Sequence, residues 1–139
     1  MNKALLDTDI YSEVLKAINQ TVVQNATTYR QAFGKFTLSV VTVMEVVSGL
    51  QRVQAAKRIQ NFLAAVALEE TLPFDQDAAE LAGRIGGELE RIGQPIGVAD
   101  PMIAAIALKN GLELVTGNTA HYQRIQQIGY PLVLHDWRV

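Results

Sequence analysis

Apolar residues fall into short unbroken runs separated by longer stretches at helical spacing. Ala4, Leu5 and Leu6 form a run without polar alternation, the mark of a strand buried on both faces of a parallel sheet. Asp7 ends it, and Thr8 and Asp9 are good N-caps for a helix carrying Ile10, Val14, Leu15 and Ile18. A second helix is predicted over Gln20–Phe33, with Val22, Val23, Ala26, Tyr29 and Phe33 on its inner face and Gly34 as its stop. Phe36–Val40 reads as a second strand. Beyond it, Val41, Val43, Met44, Val46 and Val47 surround Glu45 on nearly every side, the pattern of a buried helix. Ile59, Phe62, Leu63 and Val66 make an amphipathic stripe, and Leu68–Phe74 reads as a short third strand ended by Pro73. Leu81, Ile85, Leu89 and Ile92 repeat along a helix capped by Asp75 or Asp77 and stopped by Gly93. Pro101 at a first helical position and Gly111 just past the end bracket the next helix, with Asp100 as its N-cap. Glu113–Thr116 is a fourth strand, followed by a turn at Gly117-Asn118-Thr119 and a short helix through Ile125. Leu132–Leu134 is a fifth, with Trp137 covering the core.

Strands alternating with helices predict an α/β fold, a three-layer α/β/α sandwich with a short, mainly parallel sheet of about five strands. The 139 residues suit a single domain, 1–139. No apolar run approaches the roughly 20 residues of a membrane span, and the N-terminus lacks the pattern of a signal peptide. The absence of cysteine excludes thiolate zinc sites and cysteine nucleophiles and fits a cytoplasmic protein. With 12 basic against 14 acidic residues, a nucleic-acid partner requires a local patch, or a cation that neutralises part of the acid.

Four polar outliers stand where the predicted strands end or the next helices begin. Asp7 closes the first strand, where it serves as a helix cap, a ligand for a cation, or both. Glu45 lies on the apolar helix; Thr42-x-x-Glu45 matches a capping box, but Ser39 is an equally good cap and would place Glu45 inside the helix. Asp100 opens a helix, as a cap with one oxygen still free for a metal. Asn118 follows the fourth strand. In a parallel sheet these positions share one edge, where ligands bind. Like charges about 4 Å apart repel by about 4 kcal/mol at an effective dielectric of 20. A hard divalent cation removes that repulsion, and all-oxygen ligands select Mg²⁺ or Mn²⁺. The matching chemistry is hydrolysis or transfer at phosphorus.

The order Leu-Leu-Asp7-Thr-Asp9-Ile, Ser39-x-x-Thr42-x-x-Glu45, Asp100-x-x-Ile-Ala-Ala and Val-Thr116-Gly-Asn118-x-x-His-Tyr resembles the PIN-domain ribonucleases, especially the VapC-type toxins of toxin–antitoxin pairs. The resemblance implies Mg²⁺-dependent endoribonuclease activity through metal-activated water, with Mn²⁺ as a possible substitute. It assigns metal-ligand roles to Asp7 and Asp100, an acidic-cluster role to Glu45, and a catalytic position to Asn118. Asp9, Thr42 and Thr116 are auxiliary polar positions. It further implies an RNA substrate, an antitoxin protein as partner and a homodimer. Asparagine at 118 leaves three acids, which suits one well-held ion. Glu45, with its pKa raised by burial, would assist as base. Arg52, Lys57, Arg84, Arg91 and Lys109 are either phosphate contacts or a solvated face. His121 is a candidate phosphate contact, and Tyr122 reads as packing. Val22, Val23, Tyr29 and Phe33 are the expected exposed apolar surface.

Two alternatives remain. A haloacid-dehalogenase-like phosphohydrolase also opens with Asp-x-Asp, but Tyr11 stands where that family wants threonine or valine. A non-catalytic PIN-like binding module would not need Asp7, Glu45 and Asp100 intact.

Overall fold

A computed structural model describes residues 1–139. The chain runs β1 (Ala4–Leu6), α1 (Thr8–Lys16), α2 (Gln20–Phe33), β2 (Thr37–Ser39), α3 (Val40–Arg52), α4 (Ala56–Val66), β3 (Glu70–Leu72), α5 (Gln76–Arg91), α6 (Ala99–Lys109), β4 (Glu113–Val115), α7 (Thr119–Gln127) and β5 (Leu134–His135). The five strands form one sheet in the order β3-β2-β1-β4-β5, with every pair parallel. The strand order winds outward in both directions from β1, so the carboxyl end of β1 lies at a topological switch point.

Period-2 alternation along the strands divides the core in two. Leu5 and Leu114 point to one face, where they meet Ile85, Leu89, Ile103, Ile106, Tyr122 and Ile125 from α5, α6 and α7. Ala4, Leu6, Leu38 and Val115 point to the other, against Ile10, Tyr11, Val22, Tyr29 and Phe62 from α1, α2 and α4. Trp137 closes this second core, its ring centroid 5.7 Å from Tyr29 and 6.3 Å from Phe36. Tyr29 also ties α2 to the sheet, since its hydroxyl accepts from Ala4 N at 3.1 Å and donates to Ala4 O at 3.2 Å. No helix is long and apolar enough to cross a membrane.

Three expectations change. The fifth strand lies at Leu134–His135, two residues later than its apolar run. Leu132 is drawn into the core, and the parallel ladder to β4 pairs Leu114 with Leu134 and Val115 with His135. Helix α3 is not dry. Its first turn buries Val41 and Thr42, but Val40 and Met44 are exposed and Glu45 is half-buried. In α2, Val22 and Tyr29 are buried rather than displayed; the exposed apolar side chains nearby are Leu15, Ile18 and Phe33.

Candidate active site

Asp7 follows β1 directly, and its backbone N–H continues the ladder by donating to Val115 O at 2.8 Å. It caps α1, with Oδ1 accepting from Thr8 N at 2.8 Å. Its other oxygen, Oδ2, accepts from Thr116 Oγ1 at 2.8 Å, just past β4. Asp7 is therefore a cap through one oxygen, while the other faces the crevice between β1 and β4. Asp7 is only 5% exposed. Burial pushes its pKa up to about 7, and the neighbouring charges of Asp9 and Asp100 add to the rise, while the Thr116 and Thr8 hydrogen bonds oppose it. Replacing Thr116 with valine removes one of these bonds. The Asp7 carboxyl should then titrate about one pH unit higher in a carbon-detected NMR titration, since one bond to a charged group carries about 1.5 kcal/mol.

Asp100 comes from the far side of the crevice. It is not the N-cap of α6: Val98 occupies that position without a side-chain bond, and Asp100 sits in the first turn. Its side chain is thereby free to face β4 and α7. Oδ1 accepts from the Tyr122 hydroxyl at 3.2 Å, and Oδ2 lies 3.3 Å from the Asn118 amide nitrogen and 2.9 Å from His121 Nδ1. The buried Tyr122 hydroxyl stands under the influence of both carboxylates. Burial first, then the charges of Asp7 and Asp100, raise its pKa well above the ordinary tyrosine value, so it stays a protonated donor. Tyr122 packs as its spacing suggests, and its hydroxyl also belongs to the site.

Glu45 stands in an adjoining cluster. Ser39 caps α3, its Oγ accepting from Thr42 N at 3.2 Å, so the capping box from Thr42 is not used and Glu45 lies one turn inside the helix. Glu45 Oε1 accepts from Thr8 Oγ1 at 2.7 Å, and Thr8 Oγ1 is 2.9 Å from Thr42 Oγ1. Thr8 thus links the Glu45 cluster to Asp7 through its hydroxyl and its backbone N–H. No group of three acidic or histidine side chains stands close enough to hold one ion. The structure brings together two carboxylates, Asp7 and Asp100, with Glu45 one residue removed. Asp9 turns outward from this pair: Oδ1 accepts from Ile10 N at 2.7 Å and Oδ2 from Gly117 N at 3.0 Å.

This donor set fits a hard divalent ion. Its two carboxylates offer only oxygen donors, they stand on either side of a buried hydroxyl, and Mg²⁺ takes one or two protein carboxylates while keeping its other positions for water and phosphate. Of the basic residues considered, Arg84 pairs with Glu80, Arg91 with Glu88 and Lys109 with Asp75, which makes them part of a solvated face. Lys16 and Arg58, which spacing did not single out, line a cavity of about 580 Å³ beside Thr8 and Glu45. Leu15, Leu50 and Phe62 give it an apolar floor.

Comparison with known proteins identifies the family and the fold. The sequence pattern of the PIN domain matches residues 4–126. The tRNA(fMet)-specific endonuclease VapC of Shigella flexneri is 34% identical over 129 residues, covering 90% of this chain and 93% of that protein. Ribonuclease VapC2 of Haemophilus influenzae is 31% identical over the same length, with the same coverage. Among solved structures, DNA-bound VapBC from Salmonella typhimurium superposes with a TM-score of 0.79 at 29% identity, covering 99% of both chains. An all-parallel sheet with β1 at its switch point, Asp7 and Asp100 facing each other there, and a family match across nearly the whole length place this chain in the PIN-domain family.

Proposed function

We infer that this chain is a metal-dependent endoribonuclease of the VapC type, the toxin of a toxin–antitoxin pair. Nucleases of this family depend on a metal ion. The facing carboxylates of Asp7 and Asp100 at the carboxyl edge of the sheet carry the reading. Asp7 and Asp100 would hold the ion, Mg²⁺ with Mn²⁺ as a substitute; the all-oxygen donor set supports that choice. A bound divalent ion supplies Lewis acidity at the phosphodiester and a water nucleophile at neutral pH.

The remaining steps belong to the protein. Asp7 would bind a divalent ion in its carboxylate form, so loading would release the proton that burial keeps on this group below about pH 7. Thr116 fixes Asp7 Oδ2; Asn118, His121 and Tyr122 fix both oxygens of Asp100. Thr8 holds one oxygen of Glu45, leaving the other to take the proton of the attacking water. In-line attack by water leaves a 5′-phosphate and a 3′-hydroxyl. Because a relative from Shigella flexneri is named as specific for tRNA(fMet), tRNA is the first substrate to test. End-group analysis of the fragments tests the mechanism: a 2′,3′-cyclic phosphate, or cleavage that persists in excess chelator, overturns it.

The antitoxin seats a peptide in the cavity between α1, α3 and α4. Thr8 and Glu45 border both this cavity and the active site, so a peptide lodged there reaches the catalytic edge. Lys16 and Arg58 favour acidic groups on that peptide. The homodimer implied by the resemblance belongs to the same reading and is tested by light scattering of the purified chain.

A further inference from the structure

The C-terminal turn carries a guanidinium that the reaction outlined above does not use. Arg138 Nη2 lies 3.9 Å from Asp9 Oδ2, Nη1 3.8 Å from Glu13 Oε1, and Nε 3.3 Å from Asp136 Oδ1. Its backbone N–H also donates to Asp136 Oδ1 at 2.9 Å. Three carboxylates surround the guanidinium; only the Nε contact to Asp136 is a hydrogen bond, and Asp9 and Glu13 hold the Nη groups by charge.

The same guanidinium lies on Gly117. A β-carbon at position 117 would overlap it. Gly117 does not occupy the left-handed backbone region, so what glycine provides here is room for Arg138. On its other side, the Gly117 N–H donates to Asp9 Oδ2 at 3.0 Å. Gly117 stands between Thr116, which holds Asp7, and Asn118, which holds Asp100.

We propose that Arg138 is a positioning residue of the nuclease site: its guanidinium clamps the Thr116–Asn118 turn against Asp9 and so fixes the side chains that orient Asp7 and Asp100. The role in catalysis rests on the ribonuclease reading, but the clamp itself does not. An individual ion pair at a half-exposed position contributes little. The effect comes from geometry, because small displacements of catalytic groups cost rate out of proportion to stability.

The test uses the full chain with Arg138→Ala, Gly117→Ala and the double substitution. A methyl group at 117 evicts the flexible end of Arg138 without removing its charge. Both single variants should speed amide exchange at Gly117 about tenfold, and lower kcat about tenfold with KM within about twofold. The double variant should be no worse than either, because both remove the same contact. Unchanged exchange at Gly117 in Arg138→Ala, or effects that multiply in the double variant, overturns the clamp. A loss confined to KM with unchanged exchange overturns it too and makes Arg138 an RNA contact. Exchange is read without RNA, so a wild-type chain that fails to cleave sinks the nuclease reading while Gly117 still decides the clamp.

Discussion

Replacing Asp7 with asparagine will abolish RNA cleavage and, when no divalent ion is present, stabilise the chain at neutral pH. Asp7 is buried, and its carboxyl titrates at about 7 in the fold against 3.8 as an isolated group. A carboxyl whose folded pKa lies above its unfolded value holds more protons in the native state. The metal-free chain therefore loses stability as pH rises between those two values. Three pH units correspond to roughly 4 kcal/mol at most. Asparagine keeps the size and still accepts from Thr8 N, but it carries no charge at any pH. In chelator, the variant and the wild type should melt together near pH 4 and diverge toward pH 8, with the variant higher by several degrees. Cleavage should fall by about a thousandfold or more, the scale of removing a principal electrostatic group from a reaction centre. A variant that retains more than a few per cent of the wild-type rate, or that melts lower at pH 8, contradicts this account of Asp7.

The largest loss of stability is expected from Trp137→Ala. The indole is 5% exposed and closes the second core against Tyr29 and Phe36, and Asn25 Nδ2 donates to its carbonyl at 3.1 Å. Removing it leaves a cavity lined by the rings of Tyr29 on α2 and Phe36 just ahead of β2. Such truncations cost about 3–5 kcal/mol, which lowers the melting temperature by roughly 10 °C in a chain of this size. Urea unfolding measures the loss directly, and a change below about 1 kcal/mol would mean the core closes without the indole.

The element order was legible because each buried run is short and bounded by a cap, a glycine or a proline. Asp100 shows where such punctuation misleads. Proline after aspartate suggested a helix that starts at Pro101, yet α6 begins at Ala99. The first turn needs no N–H acceptors, so proline is tolerated deeper than its first position. That shift of two residues turns Asp100 from a cap into a site residue. Glu45 shows the opposite limit. Apolar residues on every side do not bury a helix when part of its surface borders an open groove, and α3 borders one. Thr8 and Tyr122 were invisible as site residues. A hydroxyl on a helix or a core tyrosine has no spacing signature, and only the tertiary fold brings them to carboxylates 37 and 22 residues away in sequence.

Asp7 and Thr116 are 109 residues apart, and Tyr122 and Arg138 come later still. A domain folds as a unit, so the site can close only after all of its strands and helices have emerged during synthesis. In a nascent copy of this chain Asp7 emerges long before the groups that complete the crevice have left the ribosome. A chain that stalls or is truncated ahead of β4 lacks Thr116, Asn118 and Tyr122, and with them the groups that orient Asp7 and Asp100.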